Sequence, residues 1–171
     1  NIKNEIGKCT YTHMLNEGAG IETDLTVVCL EKDYFRIISS AAVRTHDKAH
    51  ILKHLSDNLQ FKDVTDELIC LGIFGPKSRE LLSKITKEDL SNENFKFATS
   101  KNIKIKSINV WVQRLSYVGE LGYELYIKKE NGKEIYDLII DAGKDLKLTH
   151  CGAHAMDTMR MESGFLHWGH D

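Results

Sequence analysis

Residues 8–15 and 21–30 carry the strand-like alternation of β-forming and polar positions, on either side of a short Asn16-Glu17-Gly18-Ala19-Gly20 break. That pattern predicts a β-hairpin, with the glycines supplying the positive φ values of its turn. Past the turn, alternation puts Ile21, Thr23, Leu25, Val27 and Cys29 on one face and Glu22, Asp24, Thr26, Val28 and Leu30 on the other. Neither face is wholly polar, so the strand is expected to be covered on both sides. Asp24 is then either an exposed acid near a hairpin end or a carboxylate that must be paired or working. A turn at Glu31-Lys32-Asp33 leads into a strand at residues 34–39, which ends in small residues.

Farther along, Ile51, Leu55 and Leu59 fall on one stripe of a helix predicted over residues 47–59. The apolar run 68–74 reads as a buried strand closed by Gly75-Pro76, with Pro76 in the first turn of a helix carrying Leu81, Leu82 and Ile85. Residues 90–99 read as a loop, and 103–105 with 110–115 as a hairpin around Ser107-Ile108-Asn109. A second glycine break, Ser116 to Gly122, precedes a strand at 123–127, then helices at 131–146 and 152–162. The order predicts an α+β fold: two interlocked halves of mainly antiparallel sheet with packed helices.

Composition narrows the setting. A length of 171 residues suits one compact domain, and a formal charge of −2 gives no basic field for nucleic acid. No apolar run reaches membrane-spanning length, so neither nucleic acid nor membrane is expected as a partner, and a cytoplasmic or mitochondrial-matrix setting fits. Cys9, Cys29, Cys70 and Cys151 show no metal or disulfide spacing and read as free thiols. The chain opens without methionine and ends at His167-Trp168-Gly169-His170-Asp171, which reads as an excised part of a longer polypeptide.

Three features carry candidate chemistry. His46, His50 and His54 recur at every fourth position, a spacing that reads as a solvated helix face in the absence of further ligands. Gly119-x-x-Gly122 precedes a strand, which disfavours a phosphate cradle. In that strand Glu124 shares a face with Tyr126 and Lys128, and is either solvent-exposed or an acceptor for two donors of a flat heterocycle.

Five stretches occur in a telling order: YTHMLNEGAGIETDLTV, LGIFGPKSRELL, DLSNENFKF, SYVGELGYELY and MRMESGFLHWGHD. Together they resemble the folate-binding aminomethyltransferase family, which includes the glycine cleavage T-protein. The LSNE and HWGH stretches are most similar to the folate-binding part of dimethylglycine and sarcosine dehydrogenases. The resemblance implies a tetrahydrofolate pocket between the halves, with Asp24 as the catalytic residue. It implies folate contacts from Tyr11, Arg114, Tyr117 and Glu124, and from Ser40, which stands where the T-protein has an asparagine. Met156 replaces an arginine. The implied activity is capture of a one-carbon unit from an N-methyl amine on tetrahydrofolate, with FAD expected only in a neighbouring domain and no metal. A T-protein activity or a non-catalytic binding module are the alternatives.

Overall fold

The computed structural model describes Ile2 and residues 4–171, and the chain divides after Thr65 into two units. The first is a three-stranded antiparallel sheet of β1 (Cys9–Leu15), β2 (Ile21–Glu31) and β3 (Tyr34–Ser39), with β2 central. Leu25, Val27 and Cys29 are buried on one face of β2 and Val28 on the other, as the mixed pattern requires. The β1–β2 turn corrects the sequence expectation: the left-handed residue is Ala19, at φ 62°, and neither Gly18 nor Gly20 has positive φ. Asn16 is the reason. Its Oδ1 accepts from the Gly18 and Gly20 amides at 3.0 and 2.8 Å, which folds the turn around one side chain and leaves the intervening residue in the left-handed region.

A single 3-10 turn, Ala41–Val43, feeds α1 (Arg44–His54), so this helix starts and ends earlier than its apolar stripe predicted. Ser40 Oγ accepts from Ala42 N at the head of the turn, and His54 Nδ1 lies 2.9 Å from the His50 carbonyl at the helix end, where Leu55 turns extended. Arg44 and Lys48 grip Asp63 at 3.0 and 3.7 Å, tying the following loop to the helix. The hydrogen bonds of Thr65 and the Arg44 guanidinium hold the Asp63 carboxyl well below the usual range.

The second unit holds a four-stranded antiparallel sheet, ordered β4-β7-β6-β5, from β4 (Leu68–Phe74), β5 (Ser100–Ile105), β6 (Ile108–Gln113) and β7 (Gly122–Lys128). Its helices are α2 (Ser78–Ile85), α3 (Gly132–Gly143) and α4 (Ala153–Glu162). Pro76 lies before α2 rather than in its first turn, because Ser78 N first closes a turn onto the Gly75 carbonyl. The β5–β6 hairpin turns at Lys106-Ser107 with Lys106 left-handed, so Ile108 belongs to the strand. Cys151 lies in the loop before α4, and the other three cysteines lie in strands.

Leu81, Leu82, Ile135 and Ile139 of α2 and α3 pack with Ile73, Ile103, Val110, Val112, Leu125 and Ile127 in one core over one sheet face. Burying each such side chain contributes roughly 1.5 to 3 kcal/mol. The opposite face carries Trp111, Gln113, Glu124 and Tyr126 from neighbouring strands. Among the described residues no helix is long and apolar enough to cross a membrane.

Candidate functional site

In the first unit, strand alternation sets Tyr11, His13 and Asp24 on one face of the sheet, with His13 directly opposite Asp24 and Tyr11 one step along the diagonal. The Tyr11 hydroxyl donates to Asp24 Oδ2 at 2.8 Å. Asp24 is half-buried and Tyr11 is 62% exposed, so the carboxylate is oriented by a phenol yet open to an incoming group. Such a carboxylate can take a proton or stabilise a developing positive charge. Ser40, by contrast, is engaged as the helix cap described above.

At the turn end of the same hairpin a polar chain runs from the turn to α1. Asn16 Nδ2 donates to Glu22 Oε1 at 2.9 Å, His46 Nε2 lies 3.0 Å from Glu22 Oε2, and His46 Nδ1 lies 3.1 Å from Asp47 Oδ1. Thr23 Oγ1 donates to Asp47 Oδ2 at 3.4 Å. The bond to Asp47 and the neighbouring Glu22 raise the His46 pKa, which gives the first member of the histidine triplet a clamping role. Among the described residues no group of three or more histidine, cysteine or acidic side chains could hold a metal.

In the second unit Glu124 is half-buried on the sheet face opposite the α2 and α3 core, between Gln113 on β6 and Gly72 on β4. Tyr126 Oη donates to Glu124 Oε2 at 2.9 Å. Burial raises the Glu124 pKa, and the Tyr126 bond works against that rise. The missing side chain at Gly72 has a packing reason: a Cβ there would lie 2.5 Å from the Phe74 ring, as would one at Gly122. The Phe74 ring therefore occupies the space that side chains at Gly72 and Gly122, the neighbours of Glu124 in the sheet, would fill.

The glycine loop between β6 and β7 is held by close approach. Gly119 has φ +74°, and a Cβ there would meet Ser163 Oγ at 2.0 Å. Ser163 Oγ in turn donates to the Val118 carbonyl at 3.2 Å. This contact sets Tyr117, whose ring meets His167 edge-on at 6.1 Å. Arg114, at the loop's start, donates through Nη1 to the Phe95 carbonyl. It is thereby committed to pinning residues 95–99, whose backbone also pairs with its own amide and carbonyl.

Thus Tyr11 and Asp24 meet, Glu124 gains Tyr126, and Arg114, Ser40 and Tyr117 are fastened to local structure. Tyr126 and His167 were missed by sequence reasoning; only the i, i+2 relation of Glu124 and Tyr126 could have pointed to the first. A cavity of about 480 Å³ in the second unit is lined by Gly72, Phe74, Met156, Met159, His150 and Cys151 among others, and by none of the six residues assigned from sequence.

Dimethylglycine dehydrogenase from Homo sapiens is 36% identical over 99% of this chain, and 4-methylaminobutanoate oxidase (formaldehyde-forming) from Paenarthrobacter nicotinovorans is 39% identical over 98%. The chain spans 20% of the length of each. The crystal structure of glycine cleavage system aminomethyltransferase T from Bartonella henselae superposes with a TM-score of 0.77 over 95% of this chain and 42% of its own, at 22% identity, and so shares the α+β fold. The family model described as the GCVT N-terminal domain matches residues 1–171, and with relatives above 30% identity it establishes that the chain belongs to that family.

Proposed function

We propose that this chain binds tetrahydrofolate and carries out one-carbon transfer from an N-methyl amine, as part of an enzyme whose amine oxidation takes place at a flavin elsewhere. The observation that carries the reading is Glu124: a half-buried, tyrosine-bonded carboxylate beside the flat ring of Phe74. A pterin offers an amino group and a ring N–H side by side, which two carboxylate oxygens accept together. The fit is chemical, and the names of two relatives, both built on methylated amino compounds, support the amine side.

In this reading Glu124 binds and orients the pterin, and bound tetrahydrofolate supplies the nitrogen that accepts the one-carbon unit. Asp24, oriented by Tyr11, takes the proton released at that nitrogen or stabilises positive charge developing beside it. Tyr117 and Arg114 act by fixing the loop before β7. We assign the protein to the cytoplasm or a mitochondrial matrix; the human relative is named mitochondrial.

Asp24→Asn keeps the shape but removes the proton acceptor. One-carbon transfer to tetrahydrofolate by the intact protein is expected to fall by about 10² to 10⁴-fold, with tetrahydrofolate affinity little changed. Amine consumption should continue and the one-carbon unit leave as formaldehyde. Measuring amine loss, formaldehyde and folate product in one reaction checks this, and an undiminished folate product would leave Asp24 a structural residue.

A further inference from the structure

Glu124 and Tyr126 stand two residues apart on β7, so they share the sheet face opposite the α2 and α3 core. Each has a neighbour directly across on both flanks. Opposite Tyr126 are Trp111 on β6 and Cys70 on β4; opposite Glu124 are Gln113 on β6 and Gly72 on β4. The Trp111 ring, itself 8% exposed, lies 4.8 Å from the Tyr126 ring, centroid to centroid, tilted by 47°. The phenol is therefore packed in place, its hydroxyl donating to Glu124 Oε2 at 2.9 Å, with the Cys70 thiol as a second hydrogen-bonding neighbour.

We propose that Tyr126 is a positioning residue for ligand binding: its hydroxyl fixes the rotation of the Glu124 carboxylate, so that the remaining lone pairs of both oxygens face a planar pair of N–H donors. This rests on the reading of Glu124 as the pterin-binding carboxylate. The physical need is plain. The terminal torsion of a glutamate is broad, and a carboxylate free to turn must lose that freedom on binding. A carboxylate has about four lone-pair sites, so one bond from Tyr126 leaves three for a ligand. Only the ionised form offers two acceptors side by side; the protonated form presents a donor to a donor.

The charge balance of this face points the same way. Burial favours the neutral form of Glu124, and the Tyr126 hydrogen bond opposes it. On the same sheet face as Glu124 the titratable side chains of the adjoining strands are Tyr126 and Lys128 on its own strand and Cys70 on β4; β6 presents Gln113 and Trp111, which do not titrate. The Cys70 thiol is pushed up to about 11 by desolvation and by the Glu124 carboxylate, and is neutral at physiological pH. The Tyr126 phenol is also raised, by burial and by Glu124, and stays a donor throughout. Removing its hydroxyl takes a hydrogen bond from the charged carboxylate, so the Glu124 pKa must rise.

The sign of the effect on binding follows. Binding requires ionised Glu124 and is lost as pH falls through its pKa, so a higher pKa moves the acid limb of the binding curve to higher pH. In the intact protein, Tyr126→Phe is expected to weaken tetrahydrofolate by about 3- to 10-fold at pH 8. The loss deepens toward pH 6 as the limb moves up. Binding measured from pH 5 to 8 for the parent, Tyr126→Phe and Glu124→Gln checks this. Carbon-13 NMR of glutamate-labelled protein without folate gives the Glu124 pKa directly, and shows whether Tyr126→Phe is folded, since an unfolded chain returns the ordinary carboxylate value. An acid limb and a Glu124 pKa that do not move in folded Tyr126→Phe would overturn the positioning role while leaving the pterin reading intact. Undiminished binding by Glu124→Gln would remove the pterin reading itself, whatever Tyr126 does to the carboxylate.

Discussion

At the scale of single residues, Ala19 shows how a side chain elsewhere can dictate a backbone conformation. Asn16 collects two amides of the turn, and the chain between them must pass through the left-handed region, where Ala19 sits at φ 62°. A residue with a Cβ costs about 1 to 2 kcal/mol there, and glycine avoids that cost. Glycine also loses about 0.4 to 1 kcal/mol more backbone entropy on folding. The first effect is the larger, so Ala19→Gly is expected to stabilise the first unit by about 0.5 to 1 kcal/mol, read from the denaturant midpoint of its unfolding. A lower midpoint would mean that the turn is not strained. The neighbouring Tyr11–Asp24 bond teaches a related lesson. Tyr11 faces Thr26, and Asp24 faces His13, so the bond crosses the pair diagonally and depends on a register that no pattern of residue types reveals.

At the scale of elements, what was legible in the sequence was whatever periodicity controls. The run 68–74 became β4 unchanged, and the helix read over 131–146 became α3 with Ile135 and Ile139 buried on one face, because burial of one face or of a whole strand leaves that signature. Ends and turns were less legible, since hydrogen bonds between particular groups decide them: Ser78 onto Gly75, Ser40 under the turn before α1, Lys106 left-handed between β5 and β6. The histidines of α1 follow the same division. Their spacing placed them on one face, but only the structure joins His46 to Glu22 and Asp47, and so α1 to the hairpin. Folding raises the His46 pKa, so its contribution is complete below the ordinary histidine value of 6.5 and is lost as pH rises through the raised value. Glu22 runs the other way: its pKa is lowered, first by Asn16, and its contribution is lost as pH falls below the ordinary 4.5 toward the lowered value. The clamp is therefore strongest between those limits. The urea midpoint of the first unit should fall between pH 5.5 and pH 8.5 in the parent and change less in His46→Gln. Parallel pH curves for the two proteins would exclude the clamp.

At the scale of the whole molecule, apolar burial is unevenly shared. Among the described residues five buried apolar side chains belong to the first unit and sixteen to the second, and of the large side chains wholly removed from water only Val28 lies in the first. Since hydrophobic burial is the main force opposing chain entropy, the second unit should be the last to open. Hydrogen exchange under native conditions reports this directly, because amides that are freed only when a unit unfolds carry that unit's full stability. The slowest amides are expected in β6 and β7, where Val112, Leu125 and Ile127 have no exposure, and faster exchange is expected throughout β1 and β3. Glu124 and Tyr126 lie on β7, so opening the second unit must dismantle the carboxylate proposed to hold the pterin. A ligand that binds only the folded form then adds about 2.7 kcal/mol to the protection of those amides at a hundred times its dissociation constant. Tetrahydrofolate at that excess should slow exchange in β7 by about a hundredfold, and Glu124→Gln should reduce the slowing at the same folate concentration. If folate leaves β7 exchange unchanged while binding is shown to be saturated, the bound molecule is held without the help of this unit, and Glu124 is not its anchor.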